Sequence, residues 1–354
     1  MTGKKYLTWS AGASAKKHII NHGLNVDDFD LLVGASGGPK WLALCGLDRL
    51  MFGEWLTHRT RPLPLIGSSI GTWRFACLAQ KNPNAAIDRF VEAYLQQSYH
   101  SQATARDVSN TLNGVLRHLL AEQGVEEILS HPVFRSHIVA ARSRHLLKSE
   151  QRSVQAIGLA ACATTNIFSR RSVQYFFERI LFADSRMLPS LVAADQIKTR
   201  YVDLQISNLE MALQASGSVP LVLEGVTNIP ESGGGVFRDG GITDYHFDHA
   251  LLSDAKLVLY PHFYSHAVPG WFDKTLKWRH LAGNTIDNVL MVSPSQHFLA
   301  LMPFGKIPDR KDFFKMSDVD RIKFWKTVVA ESNRLGDEFM EIIDRENVVS
   351  ELIA

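Results

Sequence analysis

The chain has 354 residues, with 38 Lys and Arg against 36 Asp and Glu and 45% apolar side chains. That length suits one large α/β domain, or one domain with an extension, and the composition excludes disordered, collagenous and coiled-coil classes. A formal charge of +2 sets up no strong field for nucleic acid or an anionic membrane, so a nucleic-acid partner is not expected.

The N-terminal stretch MTGKKYLTWSAGASAKKHII holds no apolar core for a signal peptide. Residues 41–56 form the longest apolar candidate, and Asp48, Arg49 and Glu54 interrupt it, well short of the roughly 18–20 apolar residues that span a bilayer. Cys45, Cys77 and Cys162 lie far apart without a C-x-x-C pair, so neither a disulfide framework nor a cysteine zinc site is indicated. These features lead us to expect a cytoplasmic protein in a reducing compartment, soluble or at most peripheral to a membrane.

The first clear element is the apolar run 29–33, which ends in glycines like a buried parallel strand entering a turn. Pro39 stands where a helix can begin, and WLALCGLDRLMFGEWL continues with helical apolar spacing. A second strand, turn and helix follow at once in LPLIG, SSIG and TWRFACLAQ. Two such units in succession predict a mostly parallel sheet. From Asn84 the spacing turns helical, with Ile87, Phe90, Val91, Tyr94 and Leu95, then Leu112, Val115, Leu116, Leu119 and Leu120. Residues 137–141, 257–260 and 289–292 read as further strands, and ESGGGVFRDGG shows neither a helical nor a strand period. After about Lys311 the chain is again helical in pattern, with Ile322, Trp325, Val329, Phe339, Ile342 and Ile343. No repeat or linker is visible. The expected layout is residues 1–270 as one domain, with 271–354 a mainly helical extension packed on it.

Two segments match G-x-S-x-G: Gly34-Ala35-Ser36-Gly37-Gly38 and Gly67-Ser68-Ser69-Ile70-Gly71. The motif makes a tight strand-to-helix turn that exposes a serine hydroxyl at a helix N-terminus. Either copy alone can equally be an ordinary turn. Downstream stand Ala215-Ser216-Gly217-Ser218-Val219-Pro220 and Asp239-Gly240-Gly241, an aspartate between flexible residues.

In this order the segments resemble the patatin-like phospholipase family. That family has a Gly-rich oxyanion loop, a G-x-S-x-G elbow, an A-S-x-x-x-P segment and a D-G-G/A motif. The resemblance covers about residues 29–260. It implies a three-layer α/β/α sandwich and a Ser-Asp dyad of Ser69 and Asp239. Gly37 and Gly38 would act as backbone oxyanion donors, joined by Ile70, and Gly34, Lys40, Gly67, Gly71, Gly240 and Gly241 would support the motifs. It further implies a hydrolase of lipid degradation acting on phospholipids or simpler acyl esters, without metal or organic cofactor. The chain departs from the pattern at Ser36 and Trp41, where the family has glycines, and at Ile242-Thr243-Asp244-Tyr245-His246-Phe247, where it usually has x-x-D-N-x-P. These changes bear on substrate preference more than on reaction class.

Lys40 has two readings, a support for the oxyanion loop or a lipid phosphate, and a first-turn lysine facing solvent. The stretch Arg135, Arg142, Arg144, Lys148 and Arg152 reads as an anionic-lipid face or as a solvated one. His246 with His249, and His262 with His266, have spacings that could bind zinc beside Asp244 and Asp248, but Pro261 interrupts the pattern, and satisfied or solvent-facing histidines are the default. A nucleotide-binding loop is excluded because Pro39-Lys40-Trp41 stands where G-K-[S/T] is required. The other function classes left open are a catalytically weak lipid-binding or scaffold protein on the same fold, and an esterase or thioesterase for soluble acyl compounds.

Overall fold

Short apolar runs that end in glycine or serine become the central strands. The computed structural model describes residues 5–100, 102–188, 197–248, 256–345 and 348–353. Among them the strands are β1 (Leu7–Ala11), β2 (Leu31–Gly34), β3 (Leu63–Ser68), β4 (Phe134–Ser143), β5 (Phe177–Ala183), β6 (Thr199–Asp203), β7 (Val226–Thr227), β8 (Val236–Asp239), β9 (Val258–Pro261), β10 (His266–Ala267), β11 (Leu281–Ala282) and β12 (Val289–Pro294). The main sheet has the order β1-β12-β9-β2-β3-β4-β5-β6, with β8 on β4 and β7 on β8, while β10 and β11 pair separately. Its centre, from β12 to β4, is parallel. β1 and β5 join their neighbours antiparallel. Every residue of β2, β3, β9 and β12 is buried, as expected for strands covered by helices on both faces. The fold is therefore α/β with a mostly parallel central sheet, a three-layer α/β/α sandwich.

The helices of the first two thirds are α1 (Ala13–His22), α2 (Cys45–Gly53), α3 (Ile70–Leu78), α4 (Pro83–Leu95), α5 (Ala105–Leu120), α6 (Gly124–Ser130), α7 (Arg152–Phe168) and α8 (Leu209–Gly217). All nine residues of α3 are buried, which makes it the central helix behind the elbow. Its Arg74 forms a buried two-pronged pair with Asp48 of α2 at 2.6 and 2.7 Å. Paired this way, the guanidinium offsets the cost of leaving water. The helix expected from Pro39 begins instead as a 3₁₀ turn, Gly38–Leu44, before α2, a common winding at helix starts.

The glycine-rich segment also differs from expectation, because it contains β8. Its alternation was hidden by Arg238, which is fully buried and bonded to Glu150 and the Leu223 carbonyl. β12 lies beyond residue 270, so the sheet takes a strand from the segment expected to be mainly helical. The later helices Asp318–Glu331 and Asn333–Asp344 bring Trp325, Val328, Leu335 and Phe339 into the same core cluster as Leu32 and Val33. Gly46 of α2 allows this contact, since a Cβ there would lie 2.2 Å from the Ser332 carbonyl oxygen. All three cysteines are buried free thiols. Among the described residues no helix is long and apolar enough to cross a membrane.

Candidate active site

Two strands meet tip to tip on one edge of β4. β3 runs parallel along that edge until Ser68 faces Val139. β8 runs antiparallel along the same edge from the other end and stops with Asp239 facing Ala140. The next residue after β3 is Ser69, so adjacent positions of β4 carry the serine and the aspartate toward each other. Gly240 turns the chain away directly over β4. A Cβ there would lie 2.1 Å from the Val139 carbonyl oxygen, so only glycine fits this turn without moving backbone.

Ser69 sits at the elbow with φ 51 and ψ −128, a conformation that costs a non-glycine residue on the order of 1–3 kcal/mol. Ser216, at the end of α8, holds it there. The Ser69 N–H donates to Ser216 Oγ at 2.8 Å, and that hydroxyl donates to the Val139 carbonyl at 2.6 Å. Close packing explains the elbow glycines as well: a Cβ on Gly71 would lie 2.2 Å from the Gly34 carbonyl oxygen, and one on Gly67 2.8 Å from the Thr72 nitrogen. The Ser69 hydroxyl donates to Asp239 Oδ2 at 2.8 Å, while Asp239 Oδ1 accepts the Gly241 N–H at 2.7 Å. Burial pushes the Asp239 carboxyl above the usual aspartate range. The bonds from Ser69 and Gly241, with the charges of Arg310 and Lys274, oppose that push in part. A carboxylate whose pKa is raised is a stronger base than an exposed one.

The loop after β2 faces the elbow. Ser36 is buried and its N–H donates to the Tyr245 carbonyl at 2.9 Å. Gly37 passes the Phe263 ring, where a Cβ would lie 2.5 Å from ring carbons, and Gly38 has φ +57. Gly37 and Gly38 open the 3₁₀ turn and Ile70 opens α3, positions whose N–H groups have no partner within their own helix. Among the described residues no backbone carbonyl from elsewhere accepts these three N–H groups. They are therefore available to a developing oxyanion. Trp41 stacks on Phe90 with ring centroids 4.1 Å apart, which gives this departure from the glycine pattern a packing role. Lys40 is not solvent-facing: its ammonium pairs with Asp309 at 2.7 Å. Although burial works in the other direction, bonds from the Lys311 N–H and from Lys40 hold the Asp309 carboxyl at about 2. Lys40 thus ties the Gly37-Gly38 loop to the C-terminal third of the chain.

Ser69, Ile70 and Gly38 open into a cavity of about 540 Å³, within the usual range for a ligand site. Trp73, Val108, Leu112, Val219 and Leu223 make an apolar wall on one part of it, and Tyr94, Tyr99, Arg310, Phe313 and Phe314 line another. The size and lining suit a largely apolar ligand that reaches Ser69.

Other residues singled out from the sequence are not at this centre. His246 is buried, its Nδ1 accepts the Val268 N–H at 2.9 Å, and burial holds its pKa well below the ordinary imidazole value. His262 packs edge-on against it at 4.3 Å, accepts the Tyr264 N–H, and is held at about 3 by burial. Both are neutral core histidines. His266 stacks on His280 at 5.5 Å, and His249 lies outside the described residues. Asp244 is committed to Arg179 through two bonds of 2.7 and 2.8 Å. Among the described residues no cluster of three or more His, Cys, Asp or Glu side chains gathers to hold a metal ion. The basic stretch does not form one face: Arg135 binds carbonyls of residues 131–134, Arg142 and Arg144 pair with Glu178, and Arg152 bonds the Leu221 carbonyl at the cavity.

Sequence reasoning missed Phe263 as the wall behind Gly37, Ser216 as the clamp on the elbow, and Arg310 in the cavity. Only Ser216 left a signal, as the serine of the ASGSVP segment. The others come from segments remote in sequence whose approach no local pattern announces. No protein-family model matches the chain, and no curated protein matches it.

Proposed function

We propose that this chain is a serine acyl hydrolase of the patatin-like type, cleaving acyl esters through the dyad Ser69 and Asp239. One observation carries the proposal. At a strained elbow, the Ser69 hydroxyl hydrogen-bonds Asp239 Oδ2 at 2.8 Å beside uncommitted backbone N–H groups and an apolar cavity. In the proposed reaction, Ser69 Oγ attacks the ester carbonyl carbon as its proton passes to Asp239 Oδ2. The carbonyl oxygen, now negative, takes hydrogen bonds from Gly37, Gly38 and Ile70. The carbon–oxygen bond to the alcohol breaks, and Asp239 returns the proton to the departing alkoxide. Water then attacks the acyl-serine ester, Asp239 takes its proton, and that proton returns to Ser69 Oγ as the carboxylic acid leaves. The Gly241 N–H on Oδ1 keeps Oδ2 turned toward the serine throughout.

The test is labelling with a fluorophosphonate followed by mapping of the modified residue, together with hydrolysis of a soluble p-nitrophenyl ester. Labelling is expected at Ser69 and absent in Ser69→Ala. Asp239→Asn should lower turnover by about 10²–10⁴, the range for loss of a general base, while remaining folded. A folded wild-type protein that neither labels nor turns over any acyl ester would favour a lipid-binding or scaffold role instead.

A further inference from the structure

Ser36 stands where the patatin-like pattern has a glycine, and no step of the proposed reaction uses its hydroxyl. Its backbone is fixed. The N–H donates to the Tyr245 carbonyl at 2.9 Å, and the preceding Ala35 is buried. The side chain lies against the turn that carries the base. A Cβ built on Gly241 would lie 2.5 Å from Ser36 Oγ and 2.9 Å from Asp239 Oδ1, so the serine hydroxyl takes the space that a side chain at 241 would fill. Both oxygens lie within 3 Å of that one point and are therefore at most about 5.4 Å apart. That is the span of two hydrogen bonds of about 2.7 Å joined at a single water.

The two groups have matching capacity. Among the described residues the Ser36 hydroxyl has no hydrogen-bond partner, and it is not one of the unpartnered polar atoms closed to solvent. It is thus open to a water although Ser36 as a whole is only 4% exposed. Asp239 Oδ1 accepts one bond, the Gly241 N–H at 2.7 Å, and a carboxylate oxygen has a second lone pair to offer. The charged and titratable groups whose fields reach Asp239 are Arg310, Lys274 and Tyr245. Ser36 adds to them a neutral donor on the side away from Ser69, which bonds Oδ2.

We infer that Ser36 is a positioning residue for the base: its hydroxyl donates to a water bound on Asp239 Oδ1, and this bridge steadies the ionised carboxylate that takes the Ser69 proton. The role of the base rests on the acyl-hydrolase reading, whereas the bridge rests on geometry alone. A glycine at 36 leaves the water without its second anchor. Hydrogen bonds to the ionised form lower a carboxyl's affinity for a proton, so Ser36 works against the effect of burial, and removing its hydroxyl raises the pH at which the base becomes available.

Two experiments separate the bridge from the reaction. In the first, kcat/KM for a soluble p-nitrophenyl ester is followed through the acid range. Ser36→Gly and Ser36→Ala should each move the acid limb to higher pH by at least about half a unit, and change the plateau above it less than about threefold. A limb that stays in place in both folded variants overturns the inference. So does a fall of the plateau alone, which is the mark of a merely structural serine. In the second, the Asp239 carboxyl is titrated directly by carbon NMR of protein labelled at the aspartate carboxyl carbons, its resonance assigned by its absence in Asp239→Asn. This arm needs no turnover, so it stands even if the chain hydrolyses nothing. A midpoint raised at least about half a unit in Ser36→Gly and Ser36→Ala supports the bridge, and midpoints equal to that of the wild type overturn it.

Discussion

Ser216→Ala is the perturbation that most directly probes how the elbow is held. The Ser216 hydroxyl accepts the Ser69 N–H at 2.8 Å and donates to the Val139 carbonyl at 2.6 Å, and the side chain is completely buried. Alanine deletes both bonds and leaves the Ser69 N–H unpaired where water has no access. A buried unsatisfied donor costs about 1–3 kcal/mol, and a second lost hydrogen bond about 0.5–1.5 kcal/mol. The expected loss of stability is therefore roughly 2–4 kcal/mol. The lost clamp also frees a residue held at φ 51, so the serine can relax away from Asp239. If half of the lost energy falls on the productive elbow, turnover drops roughly five- to thirtyfold, with KM little changed because the cavity wall is intact. Urea denaturation and steady-state hydrolysis of a soluble ester measure the two effects. Ser218→Ala is the control: its hydroxyl, one residue past α8, bonds back to the Gln214 carbonyl, and only its backbone carbonyl holds the Asp239 N–H, so it should cost less than about 1 kcal/mol. A Ser216→Ala protein as stable and as active as wild type would refute this account of the elbow.

Further outcomes follow from the same geometry. The Asp239 carboxyl is raised mainly by burial and must be ionised to accept the serine proton, so the acid limb of kcat/KM should lie above the ordinary aspartate value of about 3.9. Arg310→Met removes a charge that favours the ionised form and should move that limb to higher pH. Because the folded pKa is above the unfolded one, this carboxyl's stabilising contribution is present below the unfolded pKa and lost as pH rises through the folded value. Asp239→Asn should therefore raise thermal stability at neutral pH, and the gain should shrink in acid. Gly240→Ala drives a methyl against the Val139 carbonyl, 2.1 Å away, and is expected to cost more than about 3 kcal/mol and to abolish probe labelling. Lys40→Met breaks the partly buried pair with Asp309, and should cost about 1–2 kcal/mol and raise proteolytic sensitivity of the segment around Asp309.

Much of the fold was legible in local pattern because its chemistry is local. The central strands are continuous apolar runs, since both faces are covered, and the turns after β2 and β3 are marked by small residues that the backbone geometry demands. The helices α4 and α5 kept their apolar spacing because each turns one side to the core and the other to water. β8 was not legible because one of its four residues is a buried arginine, a choice that only the partners Glu150 and Leu223 make tolerable. β5 and β6 likewise passed unseen, and β6 lies at the sheet edge with mostly exposed residues, so burial imposes no strong pattern on it.

The site divides along the same line. The amino-acid sequence by itself marked two elbows and the Asp239-Gly240-Gly241 turn, because such turns require particular small residues at fixed spacing, and the family resemblance of their order singled out Ser69, Asp239, Gly37 and Gly38. It left Ser36 and Ser69 as two matches to one motif, with only the order of segments to choose between them. Tertiary structure decided what each group meets. β4 brings the ends of β3 and β8 together across 170 residues of chain, and α8 supplies the clamp on the elbow. The C-terminal third contributes Asp309 to Lys40 and Arg310 to the cavity. Long-range contacts of this kind depend on how elements pack, and packing constrains volume and charge rather than any pattern of neighbours along the chain.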